Sequence, residues 1–190
     1  MDARDSQKIA GAASELSRIL GGIDRLEPLV LEAASRIEQA IRHGGKLMLF
    51  GNGGSSSQAQ HIASEFVNRF MKDRVALPAL ALTTDQSILT SVSNDTSYES
   101  VFSRQVEALG KPGDVVIGLS TSGNSGNVRA AFITARSLRI STIGMTGRGG
   151  GELARCADLL IAVESTSTPR IQEIHLLIGH LIAEIVESRF

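Results

Sequence analysis

The strongest constraint on the fold is an alternation of short apolar segments with longer stretches of helical periodicity, which begins at residue 46. Five apolar segments of five to seven residues lie at 46–50, 77–82, 114–119, 141–145 and 157–163. Short strands that alternate with helices favour a parallel sheet joined by right-handed crossovers. We therefore predict an α/β fold, in which one domain contains a five-stranded parallel sheet flanked by helices.

Two further helices are predicted before the first strand, over 5–20 and 24–43. The second carries a stripe of apolar side chains at helical spacing, namely Leu26, Leu29, Leu31, Ile37 and Ile41. The glycine pair after His43 ends this helix.

The composition argues against several kinds of partner. The 190 residues include 19 basic and 20 acidic side chains with no long run of one sign, so the basic patch that usually binds nucleic acid or anionic membranes is missing. Cys156 is the only cysteine, which is typical of a reducing compartment, and we interpret it as a small buried apolar residue. No signal-peptide core and no apolar run of ~20 residues is visible. We expect a soluble, cytoplasmic protein.

Polar loops directly follow the first and third apolar segments. In an open parallel sheet, ligands bind beyond the carboxyl ends of the strands, so these two loops are the predicted binding site. The loop at 120–125 reads STSGNS and opens a helix, where hydroxyl groups, free N–H groups and the helix dipole together favour a phosphate. The alternative is an ordinary helix N-cap, although one cap needs only one such residue.

The loop after the first segment, 51–57, reads GNGGSSS. Its glycines permit positive φ angles and close backbone approach, and Asn52 offers a donor and an acceptor to a hydroxylated substrate. It matches neither a Walker P-loop nor the GxGxxG dinucleotide motif. This argues against nucleotide hydrolysis and hydride transfer.

Candidate acid–base groups lie on two predicted helices. His61 and Glu65 are four residues apart on the helix predicted from 55 to about 71, and Gln172 and His180 share one side of the last helix, predicted over 169–187. A carboxylate and a histidine can act as general base and acid, and the four side chains together suit a divalent metal such as zinc. The alternatives are a surface pair and a structural histidine, because spacing does not show that the helices meet. Glu173 and His175 must face elsewhere.

Four stretches of the chain, in order and with similar spacing, resemble the SIS (sugar isomerase) domain family and, within it, the phosphoheptose isomerase branch. They are GNGGSSSQAQHIASEF at 51–66, SNDTSYESVFSRQV at 93–106, GLSTSGNSGNV at 118–128 and RIQEIHLLIGH at 170–180. Gln58 departs from the family pattern, since many members have Asp there.

The resemblance implies a role for each matching residue. Glu65 and His180 match the catalytic base and acid. The substrate-binding positions match Asn52, Gly53, Gly54, Ser55, Glu65, Asn94, Asp95, Ser120, Thr121, Ser122, Ser125 and Gln172. In zinc-bearing members the ligands, one ion per subunit, fall at His61, Glu65, Gln172 and His180.

The resemblance also implies a reaction and an assembly. The reaction converts sedoheptulose 7-phosphate to D-glycero-D-manno-heptose 7-phosphate through an enediol(ate), in heptose biosynthesis that can serve lipopolysaccharide or other glycans. Members are typically homotetramers with sites at subunit interfaces. The chain would then divide into a helical oligomerisation segment at 1–36 and the SIS domain at 37–190.

Two other functions stay open. A non-catalytic branch of the same family binds a protein partner such as a replication initiator, but lacks the glutamate and histidine that this chain has at Glu65 and His180. Other members isomerise or sense another sugar phosphate. The short chain and the RIQEIH helix favour the heptose branch.

Overall fold

The computed structural model describes residues 3–190, and it contains the predicted alternation of strands and helices. The strands are β1 (Leu47–Gly51), β2 (Ala79–Ala81), β3 (Val115–Ser120), β4 (Ser141–Thr146) and β5 (Leu159–Ala162). The α-helices are α1 (Ala3–Leu20), α2 (Glu27–Arg42), α3 (Gly54–Val67), α4 (Gln86–Asp95), α5 (Ser103–Leu109), α6 (Gly126–Ser137) and α7 (Thr168–Glu187). Short 3₁₀ turns cover Ile23–Leu26, Tyr98–Ser100 and Gly151–Arg155.

The five strands form one parallel sheet in the order β2-β1-β3-β4-β5, as predicted. The order reverses at β1, which pairs with β2 on one side and β3 on the other, where Gly51 lies opposite Leu119. The helices that follow β1 and β3 pack on opposite faces of the sheet. This is the topological switch point at which open α/β sheets bind ligands, and it places the two polar loops side by side.

The sheet is covered on both faces. Leu47 and Leu49 of β1 pack among α2, α3 and α7, whereas Met48 and Phe50 pack among α5 and α6. The Phe50 ring stacks on Phe102 with ring centroids 5.2 Å apart. Burial on both faces explains why the strands read as continuous apolar runs.

The apolar stripe predicted for α2 is wrong at one position. The buried residues of α2 are Val30, Ala33, Ala34, Ile37 and Ala40, whereas Leu31 is 43% exposed. The fully buried alanines at 33 and 34 let α2 approach its neighbours closely, so the face centred on them turns inward.

Two smaller predictions also need correction. Helix α3 ends at Val67 rather than near Met71, because the Arg74 guanidinium binds the carbonyl oxygens of Glu65 and Phe66. Cys156 is half-buried rather than buried, and desolvation raises the pKa of its thiol. Over residues 3–190, no helix combines the length and the apolar character that crossing a membrane requires.

Candidate active site

Three ionisable side chains meet where α3 packs against α7. The Nε2 atoms of His61 and His180 are 2.9 Å apart, and Glu65 Oε1 lies 3.4 Å from His61 Nε2. One ligand atom of each side chain lies within 4.8 Å of the others. The structure thus brings together the predicted base, the predicted acid and a third predicted metal ligand.

A glycine in α7 allows the two helices to come this close. A Cβ at Gly179 would lie 2.4 Å from Ile62 Cδ1, so a side chain there would force Ile62 or α3 to shift. Ile62 follows His61 on α3, and Gly179 precedes His180 on α7. The close contact therefore lies directly beside the two histidines.

Gln172, the fourth predicted ligand, contacts the start of α3. A Cβ at Gly54 would lie 2.6 Å from Gln172 Nε2, so a side chain there would displace the Gln172 amide from its present position. Gln58, the residue that departs from the family pattern, donates to the Gln172 carbonyl at 2.5 Å. Gln172 therefore lies beside the first polar loop. Gly54, which it contacts, precedes His61 on α3 by seven residues, or about two helical turns.

The three serine hydroxyl groups of the 120–125 loop are hydrogen-bonded within the loop. Ser120 Oγ and Ser125 Oγ are 2.8 Å apart, and Ser122 Oγ accepts the Asn124 N–H at 3.1 Å. Ser125 occupies the N-cap of α6 without making a side-chain cap, which is not what an ordinary N-cap serine does. The first N–H groups of α6 therefore lack a side-chain cap, as an anion site requires.

The glycine-rich segment after β4, residues 147–151, packs against this loop. A Cβ at Gly123, whose φ is +69°, would lie 2.1 Å from the Gly150 carbonyl oxygen. The Leu153 N–H donates to the Gly123 carbonyl at 3.0 Å, and the Glu152 N–H donates to Asn124 Oδ1 at 3.0 Å. Backbone packed directly on backbone holds the loop in one shape.

A network that sequence reasoning missed ties the two loops together. Asn52 and Asn127 exchange reciprocal amide hydrogen bonds of 2.9 Å, and Tyr98 donates its hydroxyl to Asn52 Oδ1 at 2.8 Å. Asn127 is buried and stands in the first turn of α6, beside the phosphate loop. Tyr98 and Asn127 both lie in stretches that resemble the family, but nothing in those stretches indicates that their side chains meet Asn52.

The remaining predicted substrate contacts differ in placement. Ser55 is buried, and its N–H donates to the Asn52 carbonyl at 3.0 Å. Asn94 and Asp95 are exposed at the end of α4 and hydrogen-bond to each other at 2.8 Å. Among residues 3–190, no hydrogen bond joins that pair to either loop.

His175 and Glu173 face away from the cluster, as predicted. His175 is fully buried, with Nε2 3.1 Å from the Thr146 carbonyl oxygen at the end of β4. Burial lowers the pKa of His175 to about 4, although the hydrogen bond to Thr146 acts to raise it. Glu173 pairs with Arg170 near the surface.

The cluster of His61, Glu65 and His180 fits a metal ion by its donor chemistry. Two imidazole nitrogens and one carboxylate oxygen form a set that suits zinc and related divalent cations. Ligand atoms around a tetrahedral zinc are about 3.4 Å apart, close to the His61–Glu65 distance. The two histidine nitrogens need to separate only slightly to share one ion.

Comparison with known proteins gives a consistent result. The SIS domain model matches residues 13–147. The chain is 54% identical over 165 residues to the phosphoheptose isomerase of Roseiflexus sp. (87% of this chain, 84% of the relative) and 48% identical over 190 residues to that of Burkholderia pseudomallei (98% and 96%). A solved phosphoheptose isomerase from Neisseria gonorrhoeae superposes with a TM-score of 0.90 at 39% identity, covering 96% of this chain and 98% of the other.

Proposed function

Because the chain belongs to the SIS domain family and matches phosphoheptose isomerases over most of its length, it is an isomerase, and we propose that it converts sedoheptulose 7-phosphate to D-glycero-D-manno-heptose 7-phosphate. This is an aldose–ketose isomerisation in heptose biosynthesis, which supplies lipopolysaccharide among other glycans. The observation that carries the proposal is the meeting of Glu65 with two histidines at the contact of α3 and α7.

The chemistry requires a proton to move between C1 and C2 through an enediol(ate). Glu65 takes the proton from C1, beside the C2 carbonyl, and His180 donates a proton to the carbonyl oxygen, which gives the enediol. Glu65 then returns a proton to C2, and the C1 hydroxyl gives its proton back to His180 as the aldehyde forms. Their reactive atoms lie within 4.8 Å of each other, so both can reach one substrate. The Glu65 side chain is only 18% exposed, which limits competition from water for the carboxylate.

The phosphate binds on the 120–125 loop at the start of α6. Ser120, Thr121, Ser122 and Ser125 supply hydroxyl groups, and the helix N-terminus supplies N–H groups and a favourable dipole. The sugar hydroxyls contact the remaining predicted positions, which are Asn52, Gly53, Gly54, Ser55, Asn94, Asp95 and Gln172. The position of both loops at the switch point of the sheet supports this arrangement.

We further propose that zinc binds to His61, Glu65, Gln172 and His180, with the Gln172 side chain turning from its contact with Gly54 toward the three clustered ligands. Bound there, the ion would polarise the substrate oxygens and stabilise enediolate charge. Glu65 is a weaker base while it is a ligand, so its two roles compete. The short distance between His61 and His180 supports a shared cation.

A cytoplasmic homotetramer with sites at subunit interfaces completes the proposal, with α1 and α2 serving assembly. Large apolar side chains are exposed near the cluster, including Val67 at 48%, Met71 at 69% and Val75 at 68%. The His61 side chain is itself 47% exposed. A second copy that covered this region would bury both the apolar side chains and the site.

Turnover of sedoheptulose 7-phosphate tests the function. Purified protein supplemented with zinc is incubated with the substrate, and formation of the heptose phosphate is followed. We expect wild-type turnover that is lost in Glu65→Gln and in His180→Gln. Glu173→Gln and His43→Gln serve as matched controls, because both side chains lie outside the cluster.

A folded, assembled wild type that leaves the substrate unchanged would contradict the proposal. The same preparation would then be assayed with hexose and pentose phosphates. Turnover there would indicate another sugar-phosphate isomerase, whereas inactivity throughout would favour the non-catalytic branch of the family.

A further inference from the structure

A buried carboxylate at the end of α7 receives three consecutive backbone N–H groups. Glu187 accepts from Phe70 at 2.8 Å, from Met71 at 2.7 Å and from Lys72 at 3.0 Å. Burial acts to raise the pKa of Glu187, and these hydrogen bonds together with Arg74 outweigh it, so the pKa lies below its usual value. The carboxylate therefore fixes the segment that follows α3.

Arg74 completes this arrangement from the other side. Its Nε lies 3.4 Å from Glu187 Oε1, and both side chains are almost fully buried. Its Nη atoms donate to the carbonyl oxygens of Glu65 at 2.6 Å and Phe66 at 2.8 Å. Arg74 thus closes the last turn of α3, because it binds the Glu65 carbonyl and shares the Phe66 carbonyl with the Leu77 N–H, which donates at 3.0 Å. That turn includes Glu65, the proposed base.

Phe70 links Glu187 to His180, the proposed acid. Its ring stacks on the His180 imidazole, with centroids 5.4 Å apart and an interplanar angle of 28°. His180 and Glu187 are seven residues apart on α7, two helical turns, so they share one face. Glu187 holds the Phe70 backbone while His180 contacts its ring.

The stacked ring has a specific consequence for His180. Rotation of an imidazole about χ2 is broad, because this torsion lacks the deep staggered wells of aliphatic side chains. A neighbouring ring at fixed distance therefore decides where the imidazole nitrogen points. Small errors in such positioning lower rates strongly, since a displacement of about 1 Å can cost ~100-fold.

We propose that Glu187 is a positioning residue, which acts through Arg74 and Phe70 to hold Glu65 and His180 in the arrangement that the reaction needs. This rests on the proposed isomerase function for its kinetic consequence. Its geometric consequence, a fixed orientation of the His180 ring, stands independently of the reaction.

Two variants test the proposal in the full chain. Glu187→Gln keeps the side-chain volume but removes the charge, and Phe70→Leu keeps apolar bulk but removes the ring while leaving the ion pair intact. Glu184→Gln, an exposed glutamate one turn earlier on α7, and Phe190→Leu, an exposed phenylalanine, are the matched controls. We expect kcat to fall about 10- to 100-fold in both test variants, with KM within about threefold because the phosphate loop is untouched.

Imidazole signals in protein labelled with ¹⁵N-histidine provide the second measurement, since the chain has four histidines. We expect the His180 ring signals to shift or broaden in both test variants and to stay unchanged in the controls. If Glu187→Gln does not fold, Glu187→Asp decides by the same two measurements, because it keeps the charge but shortens the side chain that reaches the N–H groups of residues 70–72. Folded variants with unchanged ring signals and unchanged kcat would overturn the proposal. If the wild type shows no turnover, the function fails, and the ring signals still decide the positioning role.

Discussion

The Nε2 atoms of His61 and His180 lie 2.9 Å apart, although 119 residues separate them along the chain. A direct hydrogen bond between two imidazoles needs a proton on one Nε2, whereas a shared cation needs lone pairs on both. The zinc proposed for this pair would therefore compete with that proton.

This competition predicts the effect of zinc on stability. A ligand that binds only the folded state stabilises it by about 2.7 kcal/mol at a hundredfold excess over Kd. We expect zinc to raise the Tm of the metal-free protein, and His61→Gln to weaken zinc binding at least tenfold in calorimetric titration. His43→Gln, at the end of α2, should bind zinc as the wild type does. Equal affinity in His61→Gln and the wild type would show that the pair is not a metal site.

The buried His175 predicts a loss of stability in mild acid. Its pKa is about 4 in the folded protein and near 6.5 when exposed, so the unfolded chain binds more protons between these values. Stability should therefore fall by about 3 kcal/mol as the pH drops from above 6.5 to about 4. Denaturant unfolding across this range measures the slope. The dependence of the free energy of unfolding on pH should become weaker in His175→Gln and stay the same in His43→Gln.

Gly123 predicts a separable effect on phosphate binding. In Gly123→Ala the new Cβ would meet the Gly150 carbonyl oxygen at 2.1 Å in addition to the strain of a positive φ. Gly149→Ala is the matched control, because its φ is +79° but no atom lies within 4 Å of the added Cβ. We expect KM to rise at least tenfold in Gly123→Ala and about twofold or less in Gly149→Ala. Similar KM values in the two variants would contradict direct support of the loop by Gly150.

Tyr98 offers an optical report on the loops. It is the only tyrosine in a chain without tryptophan, so emission near its wavelength comes from this side chain alone. We expect substrate to change that emission, and Tyr98→Phe to raise KM about 2- to 10-fold through loss of the hydrogen bond to Asn52. Glu107→Gln, an exposed residue of α5 that pairs with Arg104, is the control. If saturating substrate left the tyrosine emission unchanged, Tyr98 would not lie close to the binding site.

Local features of the chain could be predicted from the sequence, whereas contacts between distant helices could not. The strands and the two polar loops were predictable because periodicity and loop chemistry are local properties. His61 and Glu65 were recognisable as neighbours on one helix, but their meeting with His180 depends on how α3 and α7 pack, where Gly179 lies against Ile62. Leu31 shows the same limit, because helical spacing alone does not select which of two overlapping apolar faces turns inward.

By itself, the sequence determined the α/β class, the order of its elements, the two polar loops that follow β1 and β3 and, through its motifs, the family. The tertiary structure alone decided which side chains meet across distant elements: the His61–His180 contact, the Asn52–Asn127 amide pair and the ion pair of Glu187 with Arg74. The physical reason is the distance along the chain over which each effect acts. Hydrophobic period and turn chemistry act over a few residues, whereas these contacts depend on the distance and rotation at which helices pack, which the whole core sets at once.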